Sequence, residues 1–284
     1  MAYGKTIELF LVNGTANSLV IAELSNWNGK AIKIPRMEIA KSNRGDLTSA
    51  GVYFLFCKAD DTGKDAVYIG EAENVKERLV QHLRDYQADK EKYYWTTAII
   101  FIGNELNKTL IRYLENKLVE LANSSKRYIV LTKNTYRNTV IKESQIAAME
   151  EFIDNIKVLI NALGYKVLEP LVIHNSQSTD DEILFIDTKT VTAKGKITSE
   201  GFVVLEGSDV SEKIADKSLS DGMRALRQKL FENGKVQNFH TTEDLLFSSS
   251  SAAADFLLGY NVSGPKTWKN KNGVSLKEID NSNN

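Results

Sequence analysis

The sequence predicts an α+β fold, a small mixed sheet flanked by helices, preceded by a β-rich lead-in and followed by a second, smaller α+β domain. Three observations carry this. "GVYFLF" (51–56), "AVYIG" (66–70) and "YYWTTAIIFIG" (93–103) are short apolar and aromatic runs of the kind that form strands. Segments with helical periodicity follow the second and the third of them. A polar, turn-rich stretch, "HNSQSTDDE" (174–182), then separates this half from another mixture of strands and helices. The 284 residues also exceed the roughly 100–200 of one domain.

Taken in order, "TIELFLV" and "SLVIAEL" read as strands on either side of the turn "NGTAN", and "KAIKIP" reads as a third strand ending at Pro35. "GVYFLF" suits a strand buried on both faces, and it forms a hairpin with "AVYIG" across "KADDTGKD". Asn74 is placed to cap a helix in which Val75, Leu79 and Leu83 recur every four residues, leaving Arg78 and His82 together on another face. A second helix carries the stripe Leu110, Leu114, Leu118 and Leu121, with Glu115 beside it. "ESQIAAMEEFIDNIKVLINALGY" reads as a third helix. Beyond the polar stretch, "EILFID", "KTVTAKG" and "GFVVLEGS" read as strands. "GMRALRQKLFENG" reads as a helix closed by Gly234, and "SSSSAAADFLLGY" as a helix with serine at its start. The predicted plan is a lead-in over 1–49, a central domain over 50–173, a linker over 174–183 and an accessory domain over 184–284.

Bulk composition narrows the function classes. Hydrophobic residues make up 42% and charged residues 26%, and no apolar run approaches the ~18 residues of a membrane span. No membrane partner is expected. The first residues lack the pattern of a secretory signal, and the single cysteine, Cys57, excludes an internal disulfide and a multi-cysteine metal site, so the expected compartment is the cytoplasm. A net charge of −1 is not the footprint of a protein that coats nucleic acid, so any such contact must be local. Local basic stretches exist: Lys30, Lys33, Arg36, Lys41 and Arg44 cluster in one segment, and Lys266, Lys269 and Lys271 surround Trp268. Both read as solvated faces or as phosphate-contacting ones, and Trp268 beside Lys269 reads as a stacking face for a base or as a core residue.

No Ser/His/Asp order, phosphate-binding glycine loop or pair of catalytic carboxylates stands out. Phosphoryl chemistry asks for less: a cation on the phosphate, a way to deprotonate water and a metal to offset charge at the leaving oxygen. Two tyrosines on paired strands, a basic helix face and one glutamate on a later helix are suited to those roles.

In their order and spacing, "GVY" (Gly51, Val52, Tyr53), "YIG" (Tyr68, Ile69, Gly70), Arg78 and His82 in "ERLVQH", and Glu115 in "RYLENKL" resemble the signature of the GIY-YIG nuclease superfamily, over roughly residues 50 to 135. The resemblance implies a metal-dependent endonuclease that hydrolyses phosphodiester bonds, with DNA as partner and Mg²⁺ or Mn²⁺ as cofactor. It implies that Glu115 is the metal ligand, as suits a hard cation that keeps most of its waters. It implies that Arg78 holds the phosphate and that Tyr53, or Tyr68 acting through His82, handles the water proton. An asparagine after the glutamate completes the family's site; Asn134 is the candidate, with Asn123 and Asn138 as rivals. Residues 185 to 284 are similar to a C-terminal domain of unknown function often appended to such nucleases. Their closing piece resembles small domains attached to restriction enzymes and adenine methylases, which implies a DNA-reading role. The alternative is a non-catalytic nucleic-acid-binding or regulatory protein that retains the fold.

Overall fold

From Gly51 to Cys57 every residue is buried, because this strand runs through the interior of a sheet covered on both faces. The computed structural model describes residues 4–59, 63–133, 140–172, 183–215 and 218–282. The chain divides into two units, Met1–Pro170 and Leu171–Asn284. The expected linker lies outside the described residues except for Ile183.

The first unit is built on β1 (Ile7–Leu11), β2 (Val20–Leu24), β3 (Gly29–Pro35), β4 (Gly51–Lys58), β5 (Asp65–Ala72), β6 (Trp95–Gly103) and β7 (Ile129–Val130). They form one seven-stranded sheet in the order β1-β2-β3-β6-β4-β5-β7. Only the β5–β7 pairing is parallel. The three strands of the lead-in belong to this sheet: β3 pairs with β6 from Gly29↔Gly103 to Pro35↔Thr97.

Side chains alternate across a strand, so β4 serves two cores at once. Val52, Phe54 and Phe56 join Val67, Ile69, Ile99 and Phe101 beneath α3 (Lys108–Ser125) and α4 (Glu143–Ala162). Tyr53, Leu55 and Cys57 face the other way, with Ile100, Ile102 and the Val75 and Leu79 of α2 (Val75–Gln87). The short helix α1 (Arg36–Ile39) lies on this second side, its Ile39 in the same core. Asn74 caps α2 by accepting from the Glu77 N–H, as its sequence position predicts.

The second unit has a four-stranded antiparallel sheet of β8 (Ile183–Asp187), β9 (Thr192–Thr198), β10 (Gly201–Val204) and β13 (Leu245–Phe247), in the order β13-β10-β9-β8. The pair β11 (Val236–Gln237) and β12 (His240–Thr241) stands apart from it. The helices are α5 (Asp221–Glu232), α6 (Ser250–Leu258), α7 (Gly264–Thr267) and α8 (Leu276–Ser282). Ala253, Phe256 and Leu257 of α6 fill the core against Phe202 and Phe247.

Trp268 corrects one expectation. Its indole is not a stacking face: the residue is fully buried, its ring centroid 4.5 Å from that of Phe202, and its Nε1–H donates to the Ser250 carbonyl at 2.9 Å. That bond removes the cost of burying the one polar atom of the indole, which is why an aromatic flanked by lysines can sit in a core. Lys269 remains exposed while its backbone pairs with Phe185. Trp268→Ala is expected to destabilise the second unit by about 3–5 kcal/mol. Hydrogen exchange at the β9 and β10 amides reads this out, and unchanged protection would contradict the buried placement.

Candidate active site

Tyr53 and Tyr68 point to the α2 side of the sheet from neighbouring strands, where β4 pairs Tyr53 with Gly70 and Leu55 with Tyr68. Their rings lie 6.3 Å apart in a stacked arrangement. The Tyr53 phenol passes over the backbone of Gly70: a Cβ added there would meet the phenol oxygen at 2.5 Å and Cζ at 2.6 Å. Gly51 is required in the same way, since a Cβ would stand 2.4 Å from the Phe101 carbonyl oxygen. The two glycines of the signature are thus demanded by close approach rather than by backbone angle.

Arg78 and His82, one turn apart on α2, both reach this pair of phenols. His82 is buried, and its Nε2 is 2.9 Å from the Tyr53 hydroxyl. The half-buried Arg78 guanidinium stands close enough to both phenols for its charge to act on them. Burial pushes the Tyr53 phenol well above its ordinary pKa and Tyr68 adds to this, while Arg78 pulls the other way without winning. Burial raises Tyr68 likewise, against Arg78. Both phenols are therefore neutral at physiological pH.

Glu115 enters from α3 and is 7% exposed. Burial first, and the neighbouring Glu71 second, push its carboxyl up to about 7, against the opposing pull of Lys108, Arg112 and Arg78. Glu71 itself is held by Lys108, whose Nζ donates to both carboxylate oxygens at 2.7 and 2.9 Å. Arg112 stands 3.8 Å from the same carboxylate. No group of three or more potential metal-ligating side chains occurs among the described residues. A buried carboxylate whose desolvation the nearby cations do not offset still fits a Mg²⁺-type ion, which takes one or two protein carboxylates and keeps its waters.

The structure thus brings together Tyr53, Tyr68, Arg78, His82 and Glu115. Asn134 and its rival Asn138 lie outside the described residues, and Asn123 sits exposed two turns beyond Glu115 on α3. Two further carboxylates come into the site that sequence reasoning passed over. Glu71 directly follows Gly70 and lies in reach of the leucine-rich helix. Glu91 accepts from His82 Nδ1. Glu71 carries a local signal, an acidic residue inside a strand; Glu91, in the charged loop "ADKEKYYW", carries none.

The basic lead-in does not form one face. Lys30 and Lys33 are an odd number of residues apart on an interior strand, so they emerge on opposite sides of the sheet. Lys30 pairs with Asp46 at 3.3 Å, and Lys33 donates to the Ala16 carbonyl at 3.2 Å. Arg36, expected as a nucleic-acid contact, is buried instead. Its guanidinium packs on the rings of Tyr86, Tyr94 and Trp95 at 4.6–4.9 Å, a cation–π arrangement that compensates part of its desolvation.

No described helix is long and apolar enough to cross a membrane. No curated protein and no solved structure matches the chain. Two family models do: "GIY-YIG catalytic domain" over residues 49–128 and "Domain of unknown function (DUF4357)" over residues 184–280. The chain therefore carries a GIY-YIG domain, of a nuclease-type family, with a DUF4357 domain C-terminal to it.

Proposed function

We propose that the protein is a metal-dependent endonuclease that hydrolyses phosphodiester bonds in DNA. The observation that carries this reading is the convergence of two phenols, a guanidinium, an imidazole and a buried carboxylate from β4, β5, α2 and α3 on one site. Arg78 presents a planar fork of N–H donors to the scissile phosphate and stabilises the charge that grows on it. Glu115 would hold Mg²⁺ or Mn²⁺, which when bound offsets negative charge on the phosphate and the leaving oxygen. Tyr53 rather than Tyr68 is assigned to the water proton, because it is Tyr53 that bonds to His82. Its raised pKa disfavours a standing phenolate, so Tyr53 hands its own proton to His82 as it takes the one from water. Tyr68 stacks beside Tyr53 and shares the influence of Arg78.

Supercoiled plasmid and a branched DNA, each incubated with Mg²⁺ and with EDTA, test the reading. Cleavage should appear with Mg²⁺ and vanish both in EDTA and in Glu115→Ala. Salt-sensitive DNA binding without metal-dependent cleavage would instead support a non-catalytic protein that retains the fold. Arg78→Lys is expected to lower kcat by about 10²-fold, since an ammonium offers a point charge where the fork offers paired donors. Single-turnover cleavage rates measure it, and a loss under threefold would remove Arg78 from the transition state.

A further inference from the structure

Glu91 is mostly buried, its side chain 14% exposed, and it accepts from the ring of His82. Its second oxygen, Oε2, is buried with no hydrogen-bond partner among the described residues. A carboxylate kept out of water with half its acceptors unused is costly to the fold, so stability alone would favour an apolar side chain there. What the position supplies is directional. An ionised carboxylate only accepts, so the His82 proton belongs on Nδ1 and Nε2 is left as an acceptor, 2.9 Å from the Tyr53 hydroxyl.

The loop bearing Glu91 is built to hold this geometry. The N–H groups of Lys90 and Glu91 donate to the Asp85 carbonyl at 2.9 and 3.3 Å. Tyr93 stacks on Tyr68 at 5.7 Å, and Arg36 packs against Tyr86, Tyr94 and Trp95 at the two ends of the loop.

We propose that Glu91 is a positioning residue of this site, fixing the tautomer and orientation of the His82 ring so that Nε2 receives the Tyr53 proton. The proposal rests on the reading of Tyr53 as the group that takes the proton of the attacking water. In that step the water oxygen bonds to phosphorus and its proton passes to the Tyr53 oxygen. The proton of Tyr53 passes to His82 Nε2, and the leaving oxygen departs with the electron pair of the broken P–O bond. Glu91 keeps its bond with Nδ1 throughout and stabilises the imidazolium that forms. No free tyrosinate is required, which suits a phenol held deep in the sheet.

The test has two arms. In the first, ¹⁵N spectra of the full-length protein labelled at its histidine side chains, with His82→Asn to assign the ring, report the tautomer without any substrate. The expected wild-type state at neutral pH has a proton on Nδ1 and a bare Nε2, and Glu91→Gln should shift the population toward an Nε2 proton. A wild-type ring protonated on Nε2, alone or with Nδ1, overturns the proposal. In the second arm, Glu91→Gln should lower kcat by about 10²-fold or more with KM and DNA affinity unchanged. An unchanged kcat overturns the proposal, as does a loss that appears equally in DNA affinity. Because the spectra need no cleavage, failure of the nuclease reading leaves the first arm able to decide whether Glu91 sets the ring.

Discussion

Glu115→Gln should abolish metal-dependent cleavage and, in the same protein, raise its stability at pH 8. The catalytic loss is expected to be about 10³-fold, because the amide leaves the cation without the carboxylate proposed to hold it. The stability gain follows from linkage. The Glu115 carboxyl stands at about 7 in the folded chain against an ordinary 4.5. A carboxyl raised in this way opposes folding wherever it must be ionised, so its penalty is fully present above about pH 7. The penalty fades as pH falls through that range toward 4.5, the ordinary value. A shift of this size corresponds to about 3 kcal/mol as an upper bound. Glutamine removes it at pH 8 and changes little at pH 4.5. Denaturant unfolding in EDTA at both pH values checks this, and equal stability of variant and wild type at pH 8 would contradict the buried, under-compensated carboxylate. The same linkage makes Mg²⁺ affinity fall about tenfold per pH unit below 7, since binding must first displace a proton.

Gly70→Ala is expected to be nearly as damaging from the opposite side of the site. The new methyl would stand 2.5 Å from the Tyr53 phenol oxygen and 2.9 Å from Cε1 of Tyr68. Tyr53 is 1% exposed, so the displaced ring would have to move against the side chains that enclose it. Either the ring tilts away from His82 or the β4–β5 pairing opens. Overpacking of this kind costs about 1–3 kcal/mol. Displacement of the proposed proton carrier, Tyr53, by about 1 Å should cost on the order of 10² in rate. Thermal unfolding and single-turnover cleavage measure the two effects; a variant with full activity would show that the phenol does not need its place above Gly70.

The sequence is most legible where the chemistry and the packing demand the same residues. Gly51, Tyr53, Tyr68 and Gly70 stand out as a motif because the phenols and the glycine backbones must interlock. Arg78 and His82 stand out because one helical turn separates them. Burial, in contrast, is a tertiary property that composition does not report. Arg36 and Trp268 look like surface groups beside lysines, yet each is internal, one because three rings surround it and the other because a carbonyl takes its N–H. The odd spacing of Lys30 and Lys33 separates them across the sheet, since side chains alternate along the strand "KAIKIP". Glu91 had no local signal at all: its partner lies nine residues back across a loop whose path is set by Arg36 and Tyr93.

The seven-stranded sheet makes the GIY-YIG motif a poor candidate for transplantation. Residues 49–128 carry the family's signature, but β6, which aligns β4 and hence Tyr53, is flanked on its other side by β3 from the preceding segment. A cassette excised at residue 49 would turn β6 into a bare apolar edge seeking a new neighbour, inviting self-association in place of the lost pairing. Recombination that preserves the geometry around Tyr53 must therefore carry the first strands with it, so the heritable module is larger than its recognisable motif.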